Sequence, residues 1–223
     1  MRKVFKGTLP ILVMVVGIFG LVSLAQASFW AKGIGFYYSP DYGDLGDWLE
    51  EKAGPSYDAP KMLEPGSGIT LSVGYDFSEN WGIRLDTFSF TSTAELHRTT
   101  GTHILLFETS TSPILVSAVY RVPAKGKLYP YLGAGIGIFP SKLIITPIKD
   151  IHSWYEPVHW TDSPLGFQVL GGAEYRLKNG LFFSGEARYI SAKTEYPGYY
   201  CIGSSSTDWS GIFASIGVGY RFE

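Results

Sequence analysis

Four histidines, His97, His103, His152 and His159, and a single cysteine, Cys201, are the residues of this 223-residue chain best suited to acid–base, metal or thiol chemistry. Nucleophilic catalysis needs a base within reach of a hydroxyl or thiol, with a third group to orient the base. His152 directly precedes Ser153, so the two side chains do not face each other, and all four histidines fall in stretches that read as loops. Asp41, Asp44 and Asp47 offer oxygens of the kind Ca²⁺ takes, and the histidines are nitrogen donors of the kind Zn²⁺ takes, but neither set has the spacing of a known cage. Solvated loops account for them, so the sequence predicts no catalytic, metal or cofactor residues. Cys201 has no second cysteine to pair with inside the chain.

A second set of charged residues is more ordered. Asp76, Arg84, Asp86, Arg121, Glu174, Arg176, Glu186, Arg188 and Arg221 each sit in a segment that alternates, with charged, small or glycine residues on one parity and apolar or aromatic residues on the other. The end of the chain shows the pattern best. Ile212, Ala214, Ile216, Val218, Tyr220 and Phe222 form one face, and Gly211, Phe213, Ser215, Gly217, Gly219 and Arg221 the other. A period of two is a strand. The second face is too rich in glycine for the outside of a soluble sheet, whereas an apolar outside with a small, polar inside fits a transmembrane barrel strand.

Eight such segments are predicted: Phe29–Tyr38, Gly68–Phe77, Trp81–Thr93, Ser112–Arg121, Leu128–Phe139, Leu165–Leu177, Leu181–Ser191 and Gly211–Phe222. The facing of the first is ambiguous, because Lys32 and Ile34 share a parity. Gly133, Gly135 and Gly137 keep the strand period with no helix start after them, so they are not a nucleotide loop. The connections alternate between long and short. Residues 39–67, with a short helix over Asp47–Lys52, 94–111, where Ile104–Phe107 offers an upward extension of the fourth strand, 140–164 and 192–209 read as loops, and turns fall near residues 78–80, 123–127 and 178–180. The sequence thus predicts an all-β fold, an eight-stranded antiparallel up-and-down transmembrane β-barrel with both termini at the short-turn, periplasmic side.

The N-terminus agrees with export. Arg2, Lys3 and Lys6 precede an apolar run from Leu9 to Leu24 and the small-x-small site Ala25-Gln26-Ala27, the layout of a cleaved signal peptide over residues 1–27, which leaves 28–223 as the barrel domain. No later stretch approaches the about 20 apolar residues of a membrane helix, so a membrane protein built from this chain is a barrel. Removing three of the 18 basic residues with the leader leaves 15 against 20 acidic ones, which excludes the basic excess of a nucleic-acid binder.

Tyr129–Ile138, Gly171–Leu177, Leu181–Tyr189 and Gly211–Phe222 resemble the small bacterial outer-membrane barrels, the superfamily that includes the OmpX, OmpW and OmpA membrane domains. The resemblance implies the outer membrane of a Gram-negative envelope as location, outer-membrane lipid as surroundings, and the barrel-assembly machinery as a partner that reads the C-terminal strand. Glu223 departs by one residue from the terminal Phe typical of that strand. Some such barrels are lipid-modifying enzymes, but the His-x-Ser pair of the deacylases is absent here. A soluble lipocalin-like barrel is the alternative fold, with the charged parity outside. It would crowd Trp81, Tyr120, Tyr175 and Tyr220 into one end of a core, whereas a membrane interface explains aromatics at one level.

Inside the barrel the parity predicts two zones. Near the periplasmic turns, the nine charged residues named above form an ion network that plugs the lower lumen, since eight strands enclose a space that side chains fill. Farther up, Phe88, Phe90, Leu115, Phe139, Leu170, Ile190 and Phe213 point inward. They are either a packed core or a cup for a small hydrophobic ligand that leaves sideways through the wall, with inward Gly133, Gly135 and Gly137 leaving space beside it. The corresponding functions are a structural barrel that presents its loops at the surface and, as the OmpW-like members are thought to be, a passive conduit for small apolar molecules.

Overall fold

The computed structural model describes residues 28–52, 57–61, 63–98, 104–149, 157–196 and 205–222. The leader, His103, His152, Ser153, Trp154, Tyr155, Cys201 and Glu223 lie outside them.

Eight strands close a barrel: β1 (Ser28–Pro40), β3 (Gly66–Asp76), β4 (Trp81–Thr87), β7 (Ile114–Arg121), β8 (Leu128–Ile138), β11 (Leu165–Arg176), β12 (Leu181–Ser191) and β15 (Gly211–Phe222). Each is antiparallel to its neighbours, and β1 closes the ring against β15 from Phe29–Phe222 to Pro40–Gly211. Closure pairs every wall strand with a neighbour on each side, so the backbone groups of the ladders are satisfied within the wall, as hydrocarbon surroundings require. The most exposed large side chains of the wall are apolar, among them Ile69 at 84%, Leu165 at 78% and Ile216 at 76%. Water would not select such a face. Trp81 and Tyr120, with ring centroids 5.0 Å apart, and Phe29 and Tyr75, 4.7 Å apart, lie together at the short-turn end as an aromatic girdle. The turn Lys178-Asn179-Gly180 uses the positive φ of Gly180, 81°, to reverse the chain tightly between β11 and β12.

At the other end the chain departs from the expected loops. The segments 94–111 and 140–164 carry strands: β5 (Phe90–Arg98), β6 (Ile104–Thr111), β9 (Ser141–Lys149) and β10 (Val158–Asp162) join β2 (Tyr57–Lys61) in a sheet ordered β10-β9-β6-β5-β2. The segment 192–209 carries the pair β13 (Lys193–Tyr196) and β14 (Ser205–Asp208). Four wall strands, β4, β7, β8 and β11, run on into the five-stranded sheet through two-residue junctions. The junctions Ser112-Pro113, Phe139-Pro140 and Ser163-Pro164 each hold a proline, which cannot donate to a ladder, so strand pairing stops and the direction changes. The fourth, Phe88-Ser89, splits what reads as one strand from Trp81 to Thr93 into β4 and β5. Rim bonds from Ser112 N to Pro140 O, 3.0 Å, and from Phe139 N to Pro164 O, 2.9 Å, hold the bends together.

The helix α1 (Gly43–Lys52) is longer than the expected Asp47–Lys52. Its Leu45 and Leu49, four residues apart on one face, are fully buried against a core of Ala94, Leu96, Phe107, Leu143, Ile145 and Tyr196. Asp44, Asp47 and Glu50 face outward.

Candidate functional site

The candidate site is the lumen. All nine charged residues predicted to line it are inside, and they divide into two tiers. In the lower tier, next to the short turns, Arg121 and Arg221 both donate to Asp76, which also accepts from Trp30 Nε1 at 3.3 Å. Arg176 donates to Glu174 through Nε at 3.1 Å and Nη2 at 2.9 Å, and Arg221 Nη2 reaches the same carboxylate oxygen at 3.4 Å. Arg121 Nη2 lies 3.5 Å from the other Glu174 oxygen.

In the upper tier Arg84 forks onto both oxygens of Glu186 and donates from Nε to Asp86 at 2.8 Å. Arg188 Nη2 lies 2.7 Å from Glu186, close enough for an ion pair but angled away from a hydrogen bond, and Arg188 Nη1 lies 3.7 Å from Asp86. Every charged side chain of this tier is at most 3% exposed. Charges stripped of water this completely persist only when paired, and the two tiers lie as paired charges across the lower lumen.

Sequence reasoning missed several members. Lys32 Nζ lies 3.6 Å from Glu186 and is buried, Tyr131 donates to Glu186 at 2.7 Å, and Gln168 links Arg188 at 3.2 Å to Ser117 at 2.7 Å. Trp30 lies between the tiers, with its ring 5.7 Å from Lys32 Nζ, 5.9 Å from the Arg121 guanidinium carbon and edge-on to Phe182. The signal was present: Trp30, Lys32, Ile34, Phe36 and Tyr38 share one parity. One face of β1 crosses both zones of the lumen, and that mixture made its direction ambiguous.

Above the upper tier Phe88, Phe90, Leu115, Phe139, Ile190 and Phe213 meet in one buried cluster with Phe36, Tyr38, Tyr42, Ala192 and Trp209. Phe36 stacks on Phe213 at 4.7 Å, and Phe88 stands 5.1 Å from Phe213. Leu170 is not part of it. It lies lower, with Val119 and Tyr131. The cup region is therefore filled by its own rings. The inward glycines leave no void either: a Cβ on Gly133 would stand 3.0 Å from Leu170, and one on Gly137 would stand 2.9 Å from Leu115. Their lack of side chains makes room for these neighbours.

One seam of the wall is incomplete. The β3–β4 ladder ends at Leu71–Thr87, yet β3 continues upward to Gly66, paired over Gly66–Thr70 with β1 alone. On the other side the chain turns away at Phe88-Ser89 into the cap. Thr70 Oγ1 donates to Thr87 O at the lower edge of this window. At the upper edge Glu64 N donates to Ser92 Oγ at 3.0 Å, and Ser92 Oγ donates back to Glu64 O at 3.1 Å. The sill is glycine where the rings come closest. A Cβ on Gly66 would stand 2.9 Å from Phe90, and one on Gly68 would stand 2.8 Å from Phe36. Only glycine admits aromatic rings this near the wall backbone, so the buried cluster stands directly behind the window.

Among the described residues, the other chemistry-bearing side chains do not join the site. His97 lies 3.4 Å from Glu95 on the cap, His159 is on the exposed face of β10, and among the described residues no three His, Cys, Asp or Glu side chains gather where a metal would sit.

A closed, apolar-walled barrel with a charged, filled lumen defines an integral outer-membrane barrel. The outer membrane protein beta-barrel domain family matches residues 11–222, and the chain belongs to that family, with the outer membrane as its location. The dibenzothiophene metabolism operon protein PahQ of Pseudomonas aeruginosa is 26% identical over 137 residues, which are 60% of this chain and 60% of that protein. The match therefore spans less than two thirds of this curated relative's length. The crystal structure of OprG from Pseudomonas aeruginosa is similar in fold, with a TM-score of 0.52 at 15% identity over 89% of this chain and 97% of that one. The solid-state NMR structure of AlkL in DMPC bilayers has a TM-score of 0.50 at 19% identity over 100% of this chain and 97% of the other.

Proposed function

We propose that this barrel is a non-enzymatic lateral conduit: it takes small hydrophobic molecules at the cell surface and releases them sideways into the outer membrane. The observation that carries the reading is the window beside Gly66–Thr70, where the wall ladder is missing and an aromatic cluster lies directly behind it. A route straight down would cross two tiers of buried charge, which an apolar solute does not traverse. Through the window it meets the outward face that carries Ile69 and Leu71, hence the acyl chains. The rings close the route at rest, so passage requires Phe88 and Phe90 to turn aside. Aromatic walls suit flat apolar solutes. PahQ is named for a dibenzothiophene metabolism operon, and dibenzothiophene is a molecule of that character.

The test is uptake of a hydrophobic fluorophore by cells producing the wild type, Phe88→Asp or Phe213→Asp, each checked for assembly. Carboxylates behind the window are expected to lower uptake toward that of cells without the barrel. Equal uptake by all three, no faster than without it, removes the conduit. That outcome would leave a structural barrel that presents its cap at the surface, a reading favoured by the complete packing of the aromatic cluster.

A further inference from the structure

The lower tier has more donors than its carboxylates can accept. Among the described residues Arg121, Arg176 and Arg221 face only Asp76 and Glu174, one positive charge in excess. All four carboxylate oxygens are already engaged: Asp76 Oδ1 by Arg121 and Trp30, Asp76 Oδ2 by Arg221, Glu174 Oε1 by Arg121, and Glu174 Oε2 by Arg176 and Arg221. Yet Nε of Arg121, on a side chain only 2% exposed, and Nε of Arg221 are buried without an acceptor among the described residues. Buried donors left unpaired are rare, because each forfeits its hydration for nothing. The upper tier is sealed, but this one is open at the short-turn end, where the Arg176 side chain is 24% exposed and that of Arg221 is 12% exposed. Arg176 stands over Tyr129, with its guanidinium carbon 4.0 Å from the ring centroid, and its Nε and Nη2 are held by Glu174, so the guanidinium is ordered before anything binds.

We propose that this periplasmic mouth is a binding site for one small oxyanion, phosphate or carboxylate in type. It supplies the negative charge and the acceptor oxygens that the tier lacks. Planar guanidiniums match such groups two bonds at a time, and the low-dielectric wall strengthens the attraction. The site lies below the window and the aromatic cluster, so it stands or falls independently of the conduit.

Folded protein in maltoside micelles, a detergent that brings no phosphate, is titrated with sodium phosphate and separately with sodium acetate, against sodium chloride at equal ionic strength. The Nε–H NMR signals of Arg121 and Arg221 are followed. Saturable shifts with either oxyanion, beyond those with chloride, are expected, and the anion that binds more tightly identifies the type. Arg176→Gln is expected to weaken binding about tenfold, the loss of one charge-assisted contact, while Lys127→Gln on the nearby exposed turn changes nothing. Shifts no larger than those with chloride in the wild type overturn the proposal whatever the variants do, as does unchanged affinity in Arg176→Gln.

Discussion

Arg188 and Phe213 are opposite one another across the β12–β15 ladder, and the guanidinium carbon lies 4.3 Å from the ring centroid. This pair joins the two halves of the lumen. Below it lie the two charged tiers, with Val119, Leu170 and Phe182 packed among them, and above it the interior is apolar and largely aromatic. A guanidinium is the cation best able to face a ring on one side and carboxylates on the other, because its face is weakly hydrated while its edge carries the donors.

The Arg84–Glu186 fork should dominate the stability of the plug. Arg84→Met leaves Glu186 buried with fewer partners, and a loss of about 3–5 kcal/mol is expected for breaking such a pair. Arg84→Met with Glu186→Met should cost less than the sum of the two single changes, with a coupling of about 0.5–3 kcal/mol. Urea unfolding from lipid vesicles measures both. Strict additivity would mean that the fork carries no energy of its own.

Purified protein in a planar bilayer should show no steady open channel of porin size. The upper tier fills the cross-section with charged side chains at most 3% exposed, and the aromatic cluster closes it again above. A persistent large conductance would refute the plug.

Gly74 admits the Trp30 ring to the wall: a Cβ there would land 2.2 Å from the indole. Gly74→Ala should therefore destabilise the barrel by about 1–3 kcal/mol, the usual cost of overpacking. Loss of the Trp30 bond to Asp76 should follow, visible as a shifted indole N–H resonance. An unchanged resonance together with unchanged stability would show that the lumen has slack at this level.

Orientation can be read by labelling. In a Cys201→Ser background, Thr91→Cys on the exposed face of β5 should react with a membrane-impermeant maleimide on intact cells. Lys125→Cys in the short turn between β7 and β8 should react only after the outer membrane is opened. The reverse pattern would invert the topology.

Most of the wall was legible because each of its strands has one face in lipid and one in a lumen, which enforces strict alternation. Gly68–Phe77, Leu181–Ser191 and Gly211–Phe222 differ from β3, β12 and β15 by no more than two residues at either end. The cap was not legible for the converse reason. Along β5 the buried parity is Phe90, Ser92, Ala94 and Leu96, half of it small or polar, and the other parity is threonine, glutamate and histidine, so the contrast between faces is weak. Along β9 the apolar run Leu143-Ile144-Ile145 is only three residues long and is bracketed by Pro140 and Pro147, which weakens it as a strand signal. The ion network followed from parity alone. Lys32 did not, because β1 carries charge and aromatic rings on the same face, and only its partners in β3 and β15 reveal which way that face turns.

Four of the junctions between wall and cap, Phe88-Ser89, Ser112-Pro113, Phe139-Pro140 and Ser163-Pro164, are each two residues long. The alternation runs through each of them unbroken, so the face of β6 that holds Phe107 and Thr109 continues the face of β7 that holds Leu115, and Leu143 and Ile145 of β9 continue the inward series of β8. The cap is thus phased by the membrane wall beneath it. A single residue added at any of these junctions turns the cap strand inside out while leaving the barrel untouched. Changes in chain length can be absorbed at the hairpin tips. At the rim they are compatible with this fold only in steps of two.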